Sequence, residues 1–166
     1  MMSEPAAFAI DRFLGENAKH ITLVARGETS WDVSVPSYWR EVIAVSMDLN
    51  DAHLRCDAFF LRAPDERRDA AYALLLRKNA RAHVWKFAVN DVGDVSLVCE
   101  LPRTAIDLEE LDTLFGSLIT LVDDTYVPYM KIAFGTALEQ QVRDGGPGLD
   151  APPWAGEWST ADEKPG

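Results

Sequence analysis

The sequence predicts an α+β protein: an antiparallel β-sheet packed mainly on one face by helices, in the order α-βββ-α-ββ-α. Three observations carry this. Apolar and polar residues alternate through five short segments, the period of a half-buried strand. Apolar residues recur three and four apart in three longer segments, the period of a helix with one buried stripe. Proline, asparagine, aspartate and glycine punctuate the boundaries between them.

Residues 4–18 form the first predicted helix, with Ile10, Phe13, Leu14 and Asn17 on one stripe and Ala6 one turn earlier. Ser3 is its expected N-cap, and Pro5 is tolerated in the first turn. Three strands follow. Trp31, Val33 and Val35 alternate with Asp32 and Ser34. Ile43, Val45, Met47 and Leu49 alternate with Val42, Ala44, Ser46 and Asp48. Leu54, Cys56, Ala58 and Phe60 share one face, leaving Arg55, Asp57, Phe59 and Leu61 on the other. Pro64 ends the third strand, and Asp65 is expected to cap a helix to about Ala80 on a stripe of Ala70, Ala71, Leu74, Leu75 and Lys78.

The stretch FAVNDVGDVSLVCELP reads as a β-hairpin. Trp85, Phe87 and Val89 alternate before NDVGD, and Val95, Leu97, Cys99 and Leu101 alternate after it. Gly93 supplies the positive φ that a tight loop needs. A calcium loop of the EF-hand kind needs a glutamate at its twelfth position. Counting twelve from Asn90 or Asp91 reaches Leu101 or Pro102, neither of which is a ligand. Asp107 then caps a helix with Glu110 in capping-box register and a stripe of Leu108, Leu111, Phe115, Leu118 and Val122. Pro128 is expected to kink or break this helix near Tyr126 or Val127. Helical pattern resumes through Tyr129, Ile132, Ala133 and Ala137 to about Arg143. Residues 1–143 therefore read as one domain. Residues 144–166, with five glycines and four prolines, read as an irregular tail that carries Trp154 and Trp158. These tryptophans either dock on the domain or on a partner, or are incidental to a flexible tail.

Composition narrows the function. The formal charge is −11, which disfavours phosphate backbones and anionic lipid, so neither nucleic acid nor membrane is an expected partner. The N-terminus lacks the basic start and continuous apolar core of a signal peptide, and no apolar run approaches the ~18 residues of a membrane span. Cys56 and Cys99 do not make a secreted disulfide framework. A cytoplasmic protein with reduced, packed thiols is expected.

Sites of chemistry are not evident. His20, His53 and His83 are scattered, and His53 and Cys56 point to opposite faces of one strand. Asp123 and Asp124 diverge by roughly 100° if helical, so the pair reads more readily as a cap after a helix break than as a catalytic pair. Glu109 and Glu110 suit a helix N-terminus. No P-loop, dinucleotide fingerprint or nucleophile elbow is present. The basic residues Arg62, Arg67, Arg68, Arg77, Lys78 and Arg81 surround one helix, as a solvated face or as a positive face for an acidic partner. The expectation is a protein without catalytic, cofactor or metal residues.

The strands do raise one functional possibility. Their main apolar face, from Trp31 to Cys99, can be covered by three amphipathic helices. The opposite face is polar at Asp32, Ser34, Arg55, Asp57, Lys86, Ser96 and Glu100, yet also holds Val42, Ala44, Phe59, Leu61, Val84, Ala88 and Val98. A charge-rimmed apolar patch on one sheet is either a partner surface or is covered from within the chain. Val42, Ala44, Phe59, Leu61, Ala88 and Val98 are the candidate protein-binding or dimer surface.

The runs FFLRAPDERRDAAYALLLRKN, FAVNDVGDVSLVCELP and LDTLFGSLITLVDDTY resemble the YbjN family over about residues 5–137. The resemblance implies an α+β fold similar to type III secretion chaperones, which are small, acidic, usually dimeric and non-enzymatic, and hold extended client segments against apolar surface. The family also carries the label of sensory transduction regulators. Pro128 departs from the family pattern by interrupting an expected continuous helix. The reading that follows is a chaperone-like or regulatory module that binds a client or partner protein and acts as a homodimer. The alternative is a domain that binds a small ligand between the sheet and a kinked last helix, suggested by Pro128, Tyr126 and Tyr129.

Overall fold

The computed structural model describes residues 5–152. Ser3, Trp154 and Trp158 lie outside the described residues. The order is α1 (Ala6–Glu16), β1 (Thr22–Arg26), β2 (Ser30–Ser37), β3 (Glu41–Leu49), β4 (His53–Leu61), α2 (Arg68–Asn79), β5 (Lys86–Val89), β6 (Val95–Pro102), α3 (Leu108–Ala133) and α4 (Gly135–Arg143). The six strands form one sheet in the order β1-β2-β3-β4-β6-β5, and every neighbouring pair is antiparallel.

Period-two patterning fixes which side is covered. The fifteen residues Trp31, Val33, Val35, Ile43, Val45, Met47, Leu54, Cys56, Ala58, Phe60, Trp85, Phe87, Val95, Leu97 and Cys99 are all buried, as the alternation predicts. Helix α3 lies across them and packs against α1, α2 and β2. Its stripe of Leu111, Leu114, Phe115, Leu118 and Val122 is buried, and Phe115 stacks on Phe13 of α1 at 5.5 Å. Two indoles are pinned where their N–H finds an acceptor. Trp31 Nε1 donates to Asp11 at 2.8 Å and Trp85 Nε1 to the Leu114 carbonyl at 2.8 Å.

The NDVGD loop is a hairpin turn. Asn90 Oδ1 accepts from the amides of Val92 and Asp94, and Gly93 sits at φ +92°. Asp94 Oδ1 accepts from the Ala63 amide at 2.9 Å, so this acid of the loop is spent on backbone.

Four expectations need correction. The element order is α-ββββ-α-ββ-α-α, because β1 precedes the three expected strands and the last helical segment divides into α3 and α4. All five β1 side chains are exposed, so an edge strand wet on both sides shows no alternation to read. Asp65 does not cap α2. It binds the Arg62 guanidinium at 2.6 and 3.1 Å, and the helix starts at Arg68 after Arg67 in the left-handed region. Pro128 does not break α3, which runs on to Ala133. Thr125, Tyr126, Tyr129 and Ala133 are buried there, and this packing holds the turn together despite one missing backbone bond. The break falls at Phe134, six residues later, and α4 begins there. Asp123 and Asp124 therefore lie inside a helix and cap nothing.

Candidate functional site

The uncovered face of the sheet is organised in rows set by strand register. Asp48, Arg55 and Glu100 form one row across β3, β4 and β6. Ser46, Asp57, Val98 and Lys86 form the next, from β3 to β5. Beyond it lie Ser34 opposite Ala44, then Phe59, Ser96 and Ala88. The last pair is Pro36 and Val42. Charge therefore falls away toward one end of the face, where Phe59 is 45% and Val42 51% exposed. These are large apolar groups left in contact with water.

Five of the six candidate surface residues sort along these rows. Val42, Ala44 and Phe59 sit together at the uncharged end, with Ala88 in the same row as Phe59. Val98 lies one row away between Asp57 and Lys86. Leu61 departs from the expected face. A register shift between Phe59 and Leu61 turns it inward, to 8% exposure.

At this end the face opens into an apolar groove of about 500 Å³. Phe59 and Leu61 form one wall. Met130, Phe134 and Leu138, from the end of α3 and from α4, form the other. Two arginines flank it. Arg62 stacks over Phe134 at 4.3 Å and is neutralised by Asp65. Arg40 lies 5.9 Å from the Phe59 ring, and its buried Nε has no hydrogen-bond partner among the described residues. Met130, Phe134, Leu138 and Arg40 were not sequence candidates. They converge because α3 ends at Ala133 and Phe134 and Leu138 follow it beside the Phe59 and Leu61 wall, a tertiary event without a local signal.

Tyr126 and Tyr129, which suggested a ligand site beside Pro128, are core residues. Tyr126 stacks on Trp39 at 5.3 Å, and Tyr129 is fully buried with its hydroxyl 3.3 Å from the Arg62 carbonyl. Burial pushes both phenols above their usual pKa. Cys56 and Cys99 face each other across β4 and β6, both buried and reduced. A hydrogen bond with Cys99, then burial, push the Cys56 thiol well above its usual pKa. His53 lies 3.5 Å from Glu100, while His20 and His83 are exposed on other elements. Among the described residues no three His, Cys, Asp or Glu side chains are grouped to hold a metal ion, and no helix is long and apolar enough to cross a membrane.

Comparison with known proteins agrees with the family resemblance. Residues 19–127 match the family model of YbjN, described as "Putative bacterial sensory transduction regulator". An uncharacterized protein of Mycobacterium tuberculosis is 28% identical over 109 residues, covering 66% of this chain and 60% of that protein. One of Mycobacterium leprae is 23% identical over 109 residues, covering 66% and 59%. The match thus spans about 60% of the length of these relatives. Among solved structures, the heterodimeric ExoU–SpcU complex of the Pseudomonas aeruginosa type III secretion system aligns at TM-score 0.49 and 15% identity, over 75% of this chain and 97% of that one. The HopA1–SchA chaperone–effector complex aligns at TM-score 0.49 and 14% identity, over 69% and 88%.

Proposed function

This chain belongs to the YbjN family, and from that premise we propose that it is a chaperone-like binding module that acts by holding a partner protein, not by catalysis. The partner lies on the uncharged end of the open sheet face and in the adjoining groove. The carrying observation is the exposure of Phe59 and Val42 beside a groove walled by Phe134, Met130 and Leu138. Apolar surface of this kind favours burial at about 25 cal/mol per Å².

The chemistry of the groove describes its occupant. The apolar walls suit an apolar side chain. The unpartnered Nε of Arg40 suits a carboxylate or carbonyl oxygen. An extended segment with alternating apolar residues and a nearby acid meets both demands. A second copy of the chain occupies the same face when no client is bound, giving a homodimer.

The test is sedimentation velocity together with affinity capture, comparing the wild-type chain with Phe59→Glu. Phe59 is nearly half exposed, so the variant keeps its fold. The reading expects it to lose both self-association and the captured protein. A Phe59→Glu protein that retains both, or one that unfolds while the wild type is a monomer that captures nothing, overturns it.

A further inference from the structure

A second cavity, of about 800 Å³, lies between α2 and α3 on the helical layer. Four bases stand around it: Arg77, Lys78 and Arg81 from α2 and the turn after it, and His83 from the loop beyond. The chain as a whole carries 27 acids against 16 Lys and Arg, so this concentration of positive charge runs against the composition. None of the four has an ion-pair partner among the described residues. They are not needed to neutralise the carbonyl end of α2 either. Lys86 Nζ already donates to the carbonyls of Asn79 and Ala82, at 2.9 and 2.8 Å.

The opposite wall is built from small side chains. Gly116, Ser117 and Thr120 lie on one face of α3, and a Cβ added at Gly116 would meet no atom within 4 Å. These small residues leave the cavity open. Leu74 and Leu121 line it as half-buried apolar surface, packed on the core. Thr120 adds an exposed hydroxyl, and Asp124 places one acid at the wall, a partner for a hydroxyl or amino group. The loop after α2 is under constraint. Val84, a β-branched residue next to His83, has φ +68°, a conformation found where surrounding structure enforces it.

We propose that this cavity binds a small phosphorylated molecule of nucleotide size. Arg77, Lys78 and Arg81 hold its phosphates, and its apolar part rests on Leu74 and Leu121. The volume lies within the range of small-molecule sites, and forked guanidinium donors match phosphate oxygens. This site is separate from the sheet face and groove, and either can fail without the other.

The experiment is amide chemical-shift titration of the full chain with ATP, and separately with inorganic tripolyphosphate, at about 0.15 M salt, where diffuse attraction is screened. The proposal expects saturable ATP shifts at His83, Gly116, Thr120 and Leu121, with tripolyphosphate binding more weakly. Two variants each weaken ATP binding about tenfold or more: Arg77→Glu with Arg81→Glu, and Gly116→Leu. The second fills the cavity and keeps every charge. If the charge-reversal variant loses its dispersed spectrum, Gly116→Leu alone decides. The proposal is overturned by no saturation up to about 5 mM ATP, by shifts centred elsewhere, or by unchanged ATP binding in Gly116→Leu. Equal affinity for tripolyphosphate overturns the apolar half of it.

Discussion

Asp123, in the middle of α3, accepts a hydrogen bond from the Ser37 hydroxyl at 2.7 Å across 86 residues of sequence. The same carboxylate accepts from the amides of Tyr38 and Trp39, each at 3.2 Å. The long helix thus grips the β2–β3 turn, which carries Arg40 to the groove, and Ser37 Oγ in turn accepts from the Arg40 amide at 3.2 Å.

Asp123→Ala removes the acceptor for a buried hydroxyl and two amides. It should lower unfolding free energy by about 1–3 kcal/mol. Urea denaturation with an unchanged m-value reads this, and Asp123→Asn, which keeps one acceptor oxygen, should lose less.

Gly93 should tolerate no side chain. At φ +92° an added Cβ would also stand 2.8 Å from the Tyr72 hydroxyl and 3.1 Å from Ala63 Cβ. Tyr72 donates to the Gly93 carbonyl at 2.8 Å, so a clash there loosens the hairpin from α2. Gly93→Ala should cost about 1–3 kcal/mol, read as a lower urea midpoint.

Acid should weaken the hold of α1 on the sheet. Hydrogen bonds from Arg26 chiefly, and from Trp31, hold the Asp11 carboxyl below its usual 3.8. A carboxyl whose folded pKa is depressed adds stability above its unfolded pKa and loses it as pH falls through the folded value. Wild-type stability should therefore drop below about pH 4 more steeply than that of Asp11→Asn, which starts lower at neutral pH. Thermal melts from pH 7 to pH 2 check this.

The thiols should be silent in the folded protein. Cys56 and Cys99 are 1% and 6% exposed, and Cys56 is held protonated by its neighbour and by burial. Ellman's reagent at pH 8 should react only at the rate of opening. In urea above the unfolding midpoint both thiols should react at once.

The buried side of this sheet was legible because β2, β3 and β6 alternate cleanly and, Ser37 apart, their buried residues are apolar. What could not be read has physical causes. β1 buries nothing and so has no period. The pattern at Phe59, Phe60 and Leu61 continues through a bulge that alternation cannot announce. Val89, which alternates with the buried Trp85 and Phe87, is nonetheless 46% exposed at the end of the edge strand β5. Pro128 signals a break that packing overrides. For the candidate site, Val42, Ala44 and Phe59 were readable as apolar residues at polar positions. The other wall of the groove was not, because Met130, Phe134 and Leu138 are helical residues whose meeting with β4 depends on where α3 ends.

The most direct test of the binding face is photo-cross-linking from a benzoylphenylalanine at position 59 in native lysate, with position 103 as the control. Arg103 lies after β6, and its guanidinium donates to the Asn50 carbonyl, toward the charged end of the face. The account predicts discrete protein adducts from position 59, including a cross-linked pair of this chain, and none of them from position 103. No adduct from position 59, or the same adducts from both positions, would contradict it.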